Sequence, residues 1–140
     1  VTACIFCDIV DGSAPASRVY ENDTVVAFLD IRPLARGHTL VVPRTHASGI
    51  ADLDPVSADA VFTAGRKIAA AMRQSSIAAD GVNLLVNDGR AAMQTVFHHH
   101  MHVVPRWSGD KLKFAAQLLT RRPHELEATA AVLREALAQD

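Results

Sequence analysis

From Thr95 to Val104 the chain reads TVFHHHMHVV, an apolar run in which histidine takes every second position, at His98, His100 and His102. Side chains alternate between the faces of a strand. A strand over 95–104 therefore places these three imidazoles on one face and Phe97, His99, Met101 and Val103 on the other. The second face is expected to pack against a helix, with His99 a partly buried structural histidine. The first face gains little packing from three imidazoles. It can offer a nucleophile, an acid–base group and hydrogen bonds to an anion near neutral pH. A metal-binding or incidental histidine cluster is the competing explanation.

The rest of the chain supplies partners for such a strand. Arg18–Glu21 and Thr24–Asp30 have strand composition, and His38–Pro43 reads as a third strand. Pro43 lacks an amide donor and should end that strand or lie at an edge. Val82–Asn87 follows the Asp80-Gly81 turn as a fourth strand. Residues 5–10 are short and apolar and stop at the Asp11-Gly12 turn. Asp54 as N-cap and Pro55 at the first helical position open a helix over 55–76. Its apolar stripe is Val61, Ala64, Gly65, Ile68 and Met72. Pro123 opens a C-terminal helix with the stripe Leu126, Ala130, Leu133 and Leu137. Residues 107–120 give no clear pattern, and their SGDK reads as a loop. The spacing predicts an α+β fold, a mostly antiparallel five-stranded sheet with one long helix and a C-terminal helix.

Composition narrows the functional classes. With 140 residues, 49% of them hydrophobic, one domain over 1–140 is expected. A formal net charge of −1 gives no reason to expect a nucleic-acid partner. No apolar run approaches the ~18–20 residues that span a bilayer. The opening VTACIFCDIV lacks the basic and long apolar regions of a secretory leader, so a cytoplasmic location is expected.

The two cysteines form Cys4-x-x-Cys7. In a reducing compartment this is half a zinc site or a redox pair. A redox pair wants a helix start after a strand, which nothing here supplies. A tetrahedral zinc site wants two more ligands, and His46 and His98 are candidates.

Several of these segments carry a family resemblance. Gln94-Thr95-Val96-Phe97-His98-His99-His100-Met101-His102-Val103-Val104-Pro105-Arg106 closely resembles the histidine triad (HIT) motif. Phe28-Leu29-Asp30-Ile31-Arg32-Pro33 resembles that family's nucleoside-binding segment. Gly37–Pro43, Asn87-Asp88-Gly89 and the opening Ile5-Phe6 also match. The resemblance covers 4–107 and leaves 108–140 as a C-terminal extension. Two positions depart from the family pattern: His99 replaces an apolar residue, and Met93 stands where many relatives have Gly. A side chain at 93 is expected to narrow the phosphate loop.

The resemblance implies a HIT-like fold and a nucleotide hydrolase. Its substrates would be purine nucleoside phosphoramidates or related nucleotide conjugates, cleaved at the α-phosphate through a nucleotidyl-histidine on His100. His102 would hydrogen-bond the phosphate or the leaving group, and His38 would support the triad. Thr95 and the backbone amides across Gln94, Thr95 and Val96 would receive phosphate oxygens. Asn87 would hold a further phosphate or ribose oxygen, and Asp30 the ribose hydroxyls. Phe6, Ile9, Phe28 and Ile31 would form the base slot, although ordinary core positions would look the same. Bacterial relatives with the cysteine pair resemble this chain in a structural zinc site, here Cys4, Cys7, His46 and His98, with His38 the nearest alternative ligand. Members are usually homodimers. Thr95 and the 105–110 tail also resemble the dinucleoside polyphosphate hydrolases of the family. A nucleotide-binding interaction module with slight turnover is the non-enzymatic alternative.

Overall fold

The computed structural model describes residues 3–123 and 125–139; residues 1, 2, 124 and 140 of the expected domain lie outside them. Five strands form one antiparallel sheet: β1 (Arg18–Glu21), β2 (Val25–Leu29), β3 (Thr39–Pro43), β4 (Gly81–Val86) and β5 (Met101–Arg106). Their spatial order is β1-β2-β3-β5-β4. Among the described residues there are four α-helices: α1 (Ile5–Asp11), α2 (Pro55–Gln74), α3 (Lys111–Thr120) and α4 (Leu126–Ala138). None is long and apolar enough to cross a membrane.

Strand alternation divides the core in two. Val25, Ala27, Leu29, Val41, Met101 and Val103 join the buried stripe of α2 and the inner face of α4. Val26, Phe28, Leu40 and Val42 point the other way and meet Phe6 and Ile9 of α1. Strands β2 and β3 are thus buried on both faces, which explains their largely unbroken apolar sequences. The α2 helix starts as expected, with the Asp54 carboxylate accepting from Ser57 N (2.8 Å) and Pro55 at its first turn. Gly65 lets it approach the sheet, since a β-carbon there would lie 2.9 Å from Met101 Sδ.

Three expectations need correction. The fifth strand begins at Met101, not at residue 95. The cause is the fixed path of the preceding loop: His99 N–H donates to Ala47 O (2.7 Å) instead of joining a ladder. Phe97, expected on the helix-facing side, is consequently exposed and lies under the Arg90 guanidinium. Second, residues 107–120 contain a helix. Asp110 caps the turn before it, bonding Trp107 N and both Nε and Nη2 of Arg106, and these hold its carboxyl down to about 2. No residue of α3 is buried; Leu112, Ala115, Ala116 and Leu119 recur at helical spacing but are exposed, a stripe that the sequence reading missed. Third, the C-terminal helix starts at Leu126, three residues after Pro123. Residues 5–10, left without a type, are helical because Cys4 Sγ accepts from Cys7 N and Gly12 closes the last turn at φ +86°.

Leu133 of α4 is completely buried against the central core. Leu133→Ala is expected to lower unfolding free energy by about 2–5 kcal/mol in urea titration. A change under about 0.5 kcal/mol would mean that α4 is not part of the cooperative core.

Candidate functional site

Two groups of side chains meet on the α1 side of the sheet. The first is Cys4, Cys7, His46 and His98, whose ligand atoms all lie within 4.8 Å of one another. His98 Nδ1 is 3.5 Å from each sulfur and 3.1 Å from His46 Nδ1, and Cys7 Sγ is 3.3 Å from His46 Nδ1. A tetrahedron of zinc–ligand bonds has edges of about 3.3–3.8 Å, so the donor set fits zinc. His98 Nε2 donates to Pro43 O (2.8 Å), which fixes the tautomer and turns the Nδ1 lone pair towards the sulfurs. Without a cation, burial, the bond to Cys4 and nearby negative charge push the Cys7 thiol up to about 11. A divalent ion reverses that preference. The cysteines are free thiols.

The second group is His38, His100 and His102. Each is buried or nearly so, and each proton position follows from a fixed partner. Leu34 N–H donates to His38 Nδ1 (2.9 Å). His38 Nε2 must then carry the proton and donate to His102 Nδ1 (2.9 Å). That leaves the His102 proton on Nε2. His100 Nδ1 donates to His98 O (2.8 Å), so its Nε2 keeps a free lone pair. Burial comes first among the causes that lower all three rings, holding His38 down to about 3 and His102 to about 4. The triad is therefore neutral near pH 7. Phe6 packs edge-on against His100, with ring centroids 5.1 Å apart, and His100 and His102 lie 5.0 Å apart. Asp30, His38 and His102 also cluster, but the nitrogens between the two rings are engaged with each other.

The remaining expected residues fall into three sets. Asp30 Oδ1 accepts from Arg32 N (2.8 Å) and Oδ2 lies 3.6 Å from His38 Nε2. Burial pushes this carboxyl up, against the opposing Arg32 bond and nearby cations. Phe6, Ile9 and Phe28 belong to the smaller hydrophobic core, whereas Ile31 is 68% exposed beside Asp30. Gln94 is buried and shapes its loop: Oε1 accepts from Gly89 N, and Nε2 donates to Ser48 O and Val96 O. Its own N–H bonds Gly89 O. Among the described residues, the N–H groups of Thr95 and Val96 and the side chain of Asn87 make no hydrogen bond. Met93 takes φ +72° and is 79% exposed, so its side chain turns away from the loop instead of narrowing it. His99 is buried, although it precedes the strand and its N–H bonds Ala47 O. Two partners escaped the sequence reading, Pro43 O and Leu34 N–H, because backbone groups carry no residue-type signal.

The lowered histidines make stability depend on pH. An unfolded His38 or His102 takes a proton below its ordinary 6.5, but the folded ring resists until about 3 or 4. Their contribution is complete above 6.5 and is lost as pH falls towards 4. Asp30, pushed up, works in the opposite sense as a single group. Urea midpoints are expected to fall between pH 7 and pH 4.5, with a shallower slope in His102→Asn. An unchanged or rising midpoint would contradict the neutral triad.

Comparison with known proteins agrees with this geometry. Residues 11–109 match the HIT domain family. The chain is 48% identical over 136 residues to a HIT-like protein of Mycobacterium tuberculosis H37Rv, covering 97% of this chain and 94% of that protein. A zinc-bound histidine triad family protein from Mycobacterium smegmatis is 50% identical, with a TM-score of 0.90 over 98% of this chain and 94% of its own. The adenylylsulfatase HINT3 of Arabidopsis thaliana is 35% identical over 130 residues, 93% of this chain and 65% of that protein. With its histidines in motif order and this coverage, the chain belongs to the histidine triad (HIT) family.

Proposed function

We propose that the protein is a nucleotide hydrolase acting at the α-phosphate of purine nucleoside phosphoramidates or related nucleotide conjugates. The observation that carries this reading is the set of fixed tautomers. His100 is left with a lone pair on Nε2, and its neighbour His102 with a proton on Nε2. A buried neutral imidazole with one free lone pair is a nucleophile at pH 7. In the first step Nε2 of His100 bonds to phosphorus and the bond to the leaving group breaks, its electron pair going with that group. In the second step water adds to phosphorus, the N–P bond breaks with its electron pair returning to Nε2 of His100, and the water proton balances the one taken up by the departed group. The His102 N–H hydrogen-bonds the phosphate or the departing atom. The amides of Thr95 and Val96 and the Asn87 side chain receive phosphate oxygens, where charge accumulates. Asp30 takes the ribose hydroxyls and Ile31 the base, with Phe6, Ile9 and Phe28 as the apolar support beneath.

Cys4, Cys7, His46 and His98 would hold zinc, which supplies a structural cross-link with no open coordination position. The link to the M. smegmatis relative, itself zinc-bound, supports this role. The edge strand β4 and the exposed Phe62 and Leu85 suit pairing with a second copy, as in a homodimer. We take residues 4–107 as the motif-bearing part of a single domain.

His100→Ala is expected to reduce turnover by about a thousandfold or more while nucleotide affinity changes only a few-fold. A panel of adenosine phosphoramidate, adenylyl sulfate and diadenosine polyphosphates measures both the loss and the preferred leaving group. Turnover within about tenfold of the parent would remove His100 from the nucleophile's role. Protein purified without a histidine tag is expected to contain about one zinc per chain by elemental analysis. Cys4→Ser should abolish the metal and lower thermal stability. Metal-free protein that is indifferent to both cysteine replacements would refute the site.

A further inference from the structure

The Asp30 carboxylate is aimed by the turn that follows it. The Asp30 N–H donates to His38 O (2.9 Å), and Oδ1 accepts from Arg32 N (2.8 Å). Oδ2 lies 3.6 Å from His38 Nε2, whose proton goes to His102, and it receives no hydrogen bond among the described residues. An ionised carboxylate only accepts. Oδ2 is therefore the atom left for a hydroxyl, and its direction depends on where the Arg32 N–H is held. Arg32 is exposed, and a lone surface hydrogen bond competes with water and holds little by itself.

The end of α3 supplies the support that the turn lacks. Gln117 Nε2 donates to Pro33 O (2.9 Å), and Arg121 Nε donates to Arg32 O (2.9 Å). Between these consecutive carbonyls the Pro33 ring locks φ, and it restricts Arg32 as well. Two held carbonyls across a locked torsion make residues 32 and 33 one stiff unit, and the Arg32 N–H belongs to it. The Arg121 N–H bonds Gln117 O (2.8 Å), which keeps the two donors together at the helix end. The start of α3 is fastened to β5. Nε and Nη2 of Arg106 bond both oxygens of Asp110 (2.9 Å), and the same guanidinium lies 3.9 Å from the Phe114 ring centroid. Strand β5 also carries His102. The helix thus braces the Asp30 turn against the strand of the triad.

We propose that Gln117 and Arg121 are positioning residues for the sugar: by holding the Pro33 and Arg32 carbonyls they aim Asp30, so that the preference for a ribose with its hydroxyls is set from α3. The assignment rests on the nucleotide reading and on the ribose role of Asp30. It gives substrate selection to residues beyond the 11–109 match.

The test is equilibrium binding of AMP and 2′,3′-dideoxy-AMP, measured calorimetrically. The two share base and phosphate, so their affinity ratio reads the hydroxyls alone, and retained dideoxy-AMP binding shows that a variant is folded. The unaltered protein is expected to prefer AMP by about tenfold or more, as befits hydrogen bonds to a charged acceptor. Arg121→Leu and Gln117→Leu should each shrink that preference by about threefold or more and change dideoxy-AMP affinity by less than about twofold. Arg121→Gln places an amide nitrogen at the same distance along the side chain as Nε, without the charge, and should keep most of the preference. Asp30→Ala should abolish the preference, and adding Arg121→Leu to it should then change nothing further, because residues that act through one another are not additive. An undiminished preference in both leucine variants would overturn the proposal. So would an equal fall for both nucleotides, an Arg121→Gln protein as impaired as Arg121→Leu, or an Arg121→Leu effect that persists without Asp30. An unaltered protein that binds both nucleotides equally would remove the ribose role of Asp30, and one that binds neither would remove the nucleotide reading; each takes this proposal with it.

Discussion

The Nε2–H of His98 donates to the carbonyl of Pro43 at the end of β3, and the two halves of the site are built from that bond. It turns the other ring nitrogen towards Cys4, Cys7 and His46. The same residue's carbonyl takes the Nδ1 proton of His100. One buried residue therefore sets the direction of a lone pair in the donor cluster and, two residues along the chain, of a lone pair at the proposed nucleophile. Replacing His98 would leave the Pro43 carbonyl unpaired, whereas the backbone carbonyl that fixes the His100 tautomer would remain. The proline is suited to this place. It has no amide to offer a ladder, and its carbonyl is committed to the imidazole.

The α1 helix shows how little extra structure is needed to join these groups. It has only seven residues, and it carries Cys7 on one side and Phe6 and Ile9 on the other. The sulfur faces the donor cluster, and the Phe6 ring packs against both His98 and His100. The Arg18 guanidinium also donates to Ile9 O near the helix end, so the helix is held from β1 as well. A change that frees the cysteines would thus reach the triad through packing and leave its hydrogen bonds in place.

The fold was readable where periodicity met burial. Strands β1 to β4, the α2 stripe and the inner residues of α4 all bury the side chains that their spacing selects. Reading failed where the backbone is governed by distant partners. His99 N–H on Ala47 O pulls residues 95–100 out of the ladder, and nothing in TVFHHH signals that bond. The face assignment holds from Met101 on, because Met101 and Val103 meet α2 while His102, paired with Leu40, lies on the other side; Phe97 does not follow it. In the site, the side chains were legible and the roles of amides were not. Gln94 is the clearest case: its backbone amide, expected to receive a phosphate oxygen, bonds Gly89 O, while its side chain bonds Gly89, Ser48 and Val96. The α3 helix was missed although Leu112, Ala115, Ala116 and Leu119 recur at helical spacing, because the loop residues SGDK just before it dominated the reading of that stretch.

Strand β5 has a neighbour on each side, β3 and β4, whereas residues 94–100 are tied to the body by isolated bonds from Gln94, His98 and His99. Opening of the first requires loss of the sheet; opening of the second requires only local fluctuation. His100 is the last residue before the ladder begins. In hydrogen-exchange terms it stands on the seam between a slowly exchanging block and one that exchanges by its own excursions. The proposed nucleophile is held from the rigid side, while the amides proposed to receive phosphate lie on the compliant side, where they could follow an oxygen as the charge on phosphorus changes.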